Sequence, residues 1–377
     1  MKSKVSLDKD NTEISIKDQI KRLVINNMYG FQTVILYGLG RRLEIFDYLY
    51  NKGKSLSDKD EVSIISFTPK ELSEKLNLDE KYLDAWLHMA LECSIFEIDD
   101  PAKKTLKTGP HIYDLLINQD HTFYIGNTIS IFYYMAPYSE LIYNNFKTGK
   151  IENIFDFPEE IIKDAHRIGA RQANLTEQLF SKQYKEFKKR LQKDGIILDV
   201  GCGYGFSLEY WAKKYKKARF IAIDIDPKAV AFTRELVERN GWSNRIRIFN
   251  ISIEDFAHTS DVKFDLILLN DTLHEMDPDE EYRRNALEDL YLLLKFDGIL
   301  LVRESMISDM FTPKKEFQLY DIMHKWLEVV FGSRFYNEES FRKLINSTSF
   351  KSAEFVKKGG EYFWAVKKET PEPHLLV

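Results

Sequence analysis

IILDVGCGYG, residues 196–205, sets three alternate glycines directly behind a short apolar strand. Ile196, Ile197, Leu198 and Val200 can be buried on both faces of a parallel sheet, and Gly201, Gly203 and Gly205 let the following turn bring bare backbone against a ligand. FSLEYWAKKY, from Phe206 to Tyr215, reads as the next helix, with its N-terminus facing the same crevice. Nineteen residues past Gly205, a second strand from Phe220 to Ile225 carries Asp224 near its end, where a carboxylate can accept both hydroxyls of a ribose. The spacing is that of a βαβ unit. A phosphate-binding dinucleotide loop reads GxGxxG, whereas this chain reads GxGxG with Asp199 just before it, a pattern suited to a cationic ligand.

IILDVGCGYG followed by FIAIDID resembles the first two motifs of the class I S-adenosylmethionine-dependent methyltransferases. That resemblance implies an α/β fold, a doubly wound Rossmann-like sheet, with S-adenosylmethionine as cofactor and S-adenosylhomocysteine as product. It places Gly201, Cys202, Gly203, Tyr204 and Gly205 around the methionine and ribose portions, with Asp199 holding the amino group or the loop. Asp224 and Ile225 fall on the ribose, and Ser252, Ile253 and Glu254 on the adenine, where many relatives use an acid in place of Ser252. Asn270 closes this set at the end of the fourth strand.

With 377 residues, 44% of them apolar, the chain can bury a large core and has length for two domains. We expect a tail over 1–18, a mainly helical domain over 19–178 and the catalytic domain over 179–377. A net charge of -5 argues against a protein whose main task is holding nucleic acid or an anionic membrane. Cys93 and Cys202 have no metal-like spacing and suggest no disulfide framework, which fits a cytoplasmic protein. The charged start of the chain lacks the apolar core of a signal peptide, and no apolar run reaches the length of a membrane helix.

Apolar spacing over 19–52 predicts a buried helix, Thr68-Pro69 opens another, and Asp79 to Cys93 a third. Strands at Ile95–Ile98 and Leu106–Ile112 complete a winged-helix-like order. The third helix carries Asp79, Glu80, Asp84 and Glu92 against Lys81 alone, which phosphate would repel. The order resembles the dimerisation domain of small-molecule O-methyltransferases, which implies a homodimer and a small-molecule acceptor. An aromatic segment over 122–147 supplies Tyr134 and Tyr138 as candidate substrate contacts; ordinary helix packing explains the same residues. A helix over 161–191 joins the domains. Strands then follow at 246–251, 264–270 and 298–304, with a closing hairpin at 350–356 and 361–366.

Methyl transfer from a sulfonium requires an oriented nucleophile and, for a hydroxyl, removal of its proton. FDLILLNDTLHEMDPDE places His274 at the C-terminal edge of the fourth strand, and LLLKFDGILLVRE ends at Glu304 on the fifth. The O-methyltransferase resemblance makes His274 the base and Glu304 its orienting carboxylate. Met276 replaces that family's tryptophan, and GSRFYNEES departs from its glycine-glycine plus ERT pattern. A site-lining histidine is the alternative, and Asp271 is a rival that could position an amine. Met323 and His324, on a helix over 315–331, are further substrate candidates. No second acid cluster stands near Asn270 and Asp271, so no metal is expected. The function read from these features is O-methylation of a small, aromatic or apolar hydroxyl compound. N- or C-methylation without a histidine base, and a regulator that uses the winged helix, are the alternatives.

Overall fold

A computed structural model describes residues 15–21, 26–56, 64–121, 123–276, 279–311, 319–358 and 361–368. The chain divides into two compact units, Met1–Ala136 and Pro137–Val377. The division therefore falls well before the expected 178/179 boundary. The reason is α8 (Glu159–Gln183), whose Leu179 and Phe180 are buried in the core of the second unit.

The first unit opens with α1 (Ile16–Ile20), α2 (Asn26–Arg42) and α3 (Ile45–Leu56). The single helix expected over 19–52 is broken at Leu43 and Glu44, where Glu44 takes a left-handed φ of 58°. β1 (Ser66–Phe67), α4 (Pro69–Leu76), α5 (Glu80–Glu92), β2 (Phe96–Asp100) and β3 (Thr105–Thr108) follow. Thr68 and Glu71 close a reciprocal cap at the start of α4, as Thr-Pro predicts. β1 joins the hairpin to make a three-stranded antiparallel sheet, order β1-β3-β2. β3 ends at Thr108 and not at Ile112, because the chain then winds into a π-helical turn over Tyr113–Ile117 that buries Tyr113 and Leu116. These residues share one core with Tyr37, Phe46, Phe67, Trp86 and Phe96. Tyr134 lies on α6 (Gly126–Met135), in edge contact with Tyr133.

In the second unit α7 (Ser139–Thr148) and α8 precede α9 (Lys185–Asp194); the helix expected over 161–191 breaks at Tyr184. Then β4 (Ile196–Val200), α10 (Phe206–Lys214), β5 (Arg219–Asp224), α11 (Pro227–Arg239), β6 (Ile246–Asn250), α12 (Ile253–Thr259) and β7 (Phe264–Asn270) alternate. α13 (Glu280–Leu293) leads into β8 (Leu294–Arg303). α14 (Leu319–Glu328), α15 (Glu338–Asn346) and the hairpin β9 (Ala353–Lys358) and β10 (Glu361–Val366) complete the unit. Gly359 and Gly360 fall outside the described residues.

The seven strands run β6-β5-β4-β7-β8-β10-β9, with β10 antiparallel to both neighbours and the first five mutually parallel. β4 and β7 are apolar almost throughout because helices cover both faces of the sheet. Leu198, Ile267 and Leu300 face one layer, while Ile197, Leu266 and Leu301 face the other. β8 begins at Leu294, four residues before the expected strand, because Leu294 pairs with Phe264 across a bulge. The order of β4 between β5 and β7 makes a switch point at the C-terminal ends of those strands, where an open α/β sheet forms its crevice. No helix among the described residues is long and apolar enough to cross a membrane.

Candidate active site

A cavity of about 550 Å³ opens at that switch point. Its walls come from the loops after β4, β5, β6 and β7, from α8 and from α14. The glycine loop is fixed first. The Gly201 and Cys202 amides donate to the Ile223 carbonyl at 2.9 and 3.1 Å, and Thr233 Oγ1 donates to the Gly203 carbonyl at 2.7 Å. Gly201 has φ +70°, and a Cβ there would stand 2.4 Å from the Thr272 side chain; at Gly203, with φ +50°, it would stand 2.1 Å from His166 Nδ1. Glycine is therefore required at both by conformation and by contact.

Asp224 latches this loop. Its Oδ2 accepts from the Gly203 amide at 2.7 Å and its Oδ1 from the Asp226 amide at 2.8 Å, and the side chain still borders the cavity. Asp199 is 3% exposed and its Oδ2 has no hydrogen-bond partner. Burial, then the Asp224 charge, push its carboxyl up to about 7. An orphaned carboxylate oxygen at a cavity wall is a place for a cation. Cys202 also borders the cavity, with its thiol pushed well up by burial, so it is no nucleophile at neutral pH.

Gly201, Cys202, Ile225, Ser252, Ile253 and Asn270 line the cavity together with Asp199 and Asp224. Four expected contacts stand elsewhere. Gly203 is covered by His166, Gly205 faces Thr233 and Leu236, and Tyr204 is buried between His166 and Phe232. Glu254 lies outside the lining because Ser252, which caps α12 by accepting from the Asp255 amide, turns the helix away after Ile253. His166 was not legible from motif spacing. It borders the cavity from α8, where its Nδ1 accepts from the Tyr204 amide at 3.2 Å. Burial lowers its pKa against the pull of Asp224, Asp226 and Glu328, which leaves a neutral ring. Gly169 and Ala170 on the same helix also face the cavity; small residues in an otherwise charged helix are the one signal of this approach.

The expected dyad lies behind the far end of the cavity. Glu304 Oε1 accepts from the Thr272 and Leu273 amides at 2.9 and 2.6 Å, which leaves Oε2 at 2.5 Å from His274 Nδ1. The loop carrying His274 is clasped by Arg283, fully buried on α13. Its Nε donates to the Leu273 carbonyl at 3.0 Å, and its Nη2 to the carbonyls of His274 and Met276 at 3.3 and 2.9 Å. His274 is 1% exposed and is not part of the cavity wall. Glu328 and His324 stand there in its place, with Glu328 Oε2 at 3.0 Å from His274 Nε2 and Glu328 Oε1 at 2.5 Å from His324 Nε2. Glu328 was not expected; its spacing of four from His324 on α14 was the available signal.

Burial alone would lower the His274 pKa, but Glu304 and Glu328 outweigh it and hold the ring well above the ordinary histidine range. Burial would raise the Glu328 carboxyl, and the two imidazoles hold it well below the carboxylate range instead. Glu275 opens partly into the cavity, where dense surrounding protein and then the Glu328 charge raise its carboxyl. Asp271, left-handed with φ 48°, borders the cavity but accepts from Arg303 Nη1 at 2.8 Å, so it is tied to a buried guanidinium and not poised as a lone base. Met323 is not part of the wall, and Tyr138 stacks on Phe157 at 4.7 Å outside it.

Residues 197–298 match the family described as "Methyltransferase domain". The ribosomal protein L11 methyltransferase of Thermosipho africanus is 36% identical over 142 residues, which are 38% of this chain and 48% of that protein. The chain thus spans about half the length of that curated relative. The glycine/sarcosine/dimethylglycine N-methyltransferase of Actinopolyspora halophila is 24% identical over 66% of this chain and 40% of its own length. Among solved structures, the mitomycin 7-O-methyltransferase MmcR superposes with a TM-score of 0.67 at 15% identity, covering 94% of this chain and 99% of that one. Human N-acetylserotonin methyltransferase, solved in complex with SAM, gives 0.63 at 16% identity over 96% of this chain and 100% of its own. Residues 197–298 thus match a methyltransferase domain, set in a fold that nearly the whole chain shares with solved O-methyltransferases.

Proposed function

We propose that the chain transfers a methyl group from S-adenosylmethionine to a hydroxyl of a small, largely apolar acceptor. The observation that carries the reading is the orphaned Asp199 carboxylate oxygen, buried beside Gly201 and the Asp224 latch in one cavity. A ligand bearing both an ammonium and a sulfonium fits such a wall, since a buried unpaired carboxylate is costly until a cation meets it. When bound, S-adenosylmethionine supplies a methyl group on a positively charged sulfur. Asp199 and the Gly201 backbone would hold its amino-acid end, Asp224 its ribose hydroxyls, and Ser252 with Ile253 its base, beside Ile225. His166 would close the cavity from α8.

For the acceptor, Glu304 orients the His274 ring through Nδ1 and turns Nε2 towards Glu328, so His274 would act as base from its neutral form, taking the proton on Nε2. The hydroxyl would reach His274 through Glu328, which borders the cavity between them. One observation favours a second reading, methylation of an amine with no histidine base: His274 is sealed from the cavity at 1% exposure. Pairing of two chains through the first unit completes the proposal; sedimentation of the purified chain tests the pairing.

Calorimetric titration with S-adenosylmethionine and S-adenosylhomocysteine, beside an Asp224→Ala variant, tests the cofactor. Binding that vanishes in the variant is expected, and a folded wild type that binds neither overturns the reading. An acceptor screen with His274→Gln as control then separates hydroxyl from amine products.

A further inference from the structure

His274, His324 and Glu328 bring two imidazole Nε2 atoms and a carboxylate together, all within 4.8 Å of one another, from positions fifty residues apart in sequence. That separation is why residue spacing gave no sign that the three meet. His274 Nε2 and Glu328 Oε2 face one another as a buried pair 3.0 Å apart, with no further hydrogen-bond partner at either atom. Imidazole nitrogens and a carboxylate that converge on one point can hold either a proton or a metal ion between them. The outer atoms of both rings are already engaged. His274 Nδ1 faces Glu304 at 2.5 Å, and His324 Nδ1 faces Ser305 Oγ at 3.1 Å. A carboxylate or hydroxyl behind each imidazole is the arrangement that orients histidine ligands and fixes their tautomer. Phe335 packs on both rings, at 4.9 and 5.1 Å, as an apolar shell.

We propose that His274 Nε2, His324 Nε2 and the Glu328 carboxylate form a site for one divalent transition-metal ion of the zinc class. Two imidazoles select against Mg²⁺ and Ca²⁺, which prefer all-oxygen ligands. Three protein ligands leave a fourth position open, and since His324 and Glu328 border the cavity, that position faces the space proposed for the acceptor. An oxygen of water or of an acceptor hydroxyl would occupy it. The inference rests on the placement of these atoms and is independent of whether the chain transfers methyl groups.

The test is a titration of the full chain, stripped with chelator, with Co²⁺ followed by visible absorption, and with Zn²⁺ by competition, with no cofactor or acceptor present. One equivalent should produce the d–d bands of four- or five-coordinate Co²⁺, and Zn²⁺ should displace it. His324→Ala and Glu328→Gln should lose the bands while keeping the wild-type far-ultraviolet spectrum. Glu304→Gln, which removes only the support behind His274, should weaken binding roughly ten- to a hundredfold. A folded wild type that gives no such bands, or bands unchanged in both folded ligand variants, overturns the site. Because wild-type binding is read directly, variants that fail to fold do not decide the result.

Discussion

Replacing Asp199 by asparagine isolates the charge that the glycine loop keeps buried. In the folded chain the carboxyl, 3% exposed, is moved from its ordinary 3.8 to about 7 by burial and by Asp224. A raised carboxyl means that the folded state holds a proton that the unfolded state has released, so stability falls as pH rises from about 4 and levels off above about 7. At about 1.4 kcal/mol for each tenfold change in proton affinity, the penalty is about 2 kcal/mol at pH 5 and about 4 kcal/mol at pH 8. Urea denaturation of wild type and Asp199→Asn at both values should show the variant gaining on the wild type by about 2 kcal/mol between them, because asparagine has no charge to bury. S-adenosylmethionine binding should move the other way. The wild type should bind it more tightly at pH 8 than at pH 6, and the variant should bind weakly at both. A stability difference that stays constant from pH 5 to pH 8 would refute the reasoning.

Further changes test other parts of the site and scaffold. Gly203→Ala puts a methyl group against the His166 ring in a left-handed conformation; it should abolish S-adenosylmethionine binding in calorimetry, and His166→Ala in the same chain should restore only part of it because the strain remains. Arg283→Met takes the side-chain donor from the carbonyls of Leu273 and Met276, while the His274 carbonyl keeps the Arg334 amide, and should lower stability by about 3 kcal/mol in urea denaturation. Thr68→Ala, which removes the cap of α4 in the first unit, should cost about 1 kcal/mol in the same assay and leave cofactor affinity unchanged.

The legible part of the molecule is the part built from neighbours in sequence. β4, its glycine turn and the acid ending β5 occupy one stretch, and periodicity, glycine placement and a single carboxylate suffice to read it. His274 and Glu304 were also readable, because each ends a strand and strand ends meet at one sheet edge. What was not readable comes from elements that the fold brings in from afar. α8 delivers His166 and Gly169 before β4 begins, and α14 delivers Glu328, whose role depends on how that helix is laid across the crevice. Tyr204 shows the opposite case. Adjacency to the glycine loop suggested ligand contact, but the turn points its ring back into the protein against Phe232. The break at Glu44 and the π-helical turn after Thr108 escaped the apolar pattern because tertiary packing, and not local propensity, sets them.

The clasp at Arg283 bears on how such a pocket can change over generations. Its guanidinium meets Leu273, His274 and Met276 at their carbonyl oxygens, and a carbonyl is the same whatever side chain its residue carries. The shape of that loop is thus inherited from α13, while the identity of its side chains is left free to drift. A lineage can exchange Met276 or Glu275 for residues suited to another acceptor without first having to rediscover a way to hold the loop in place.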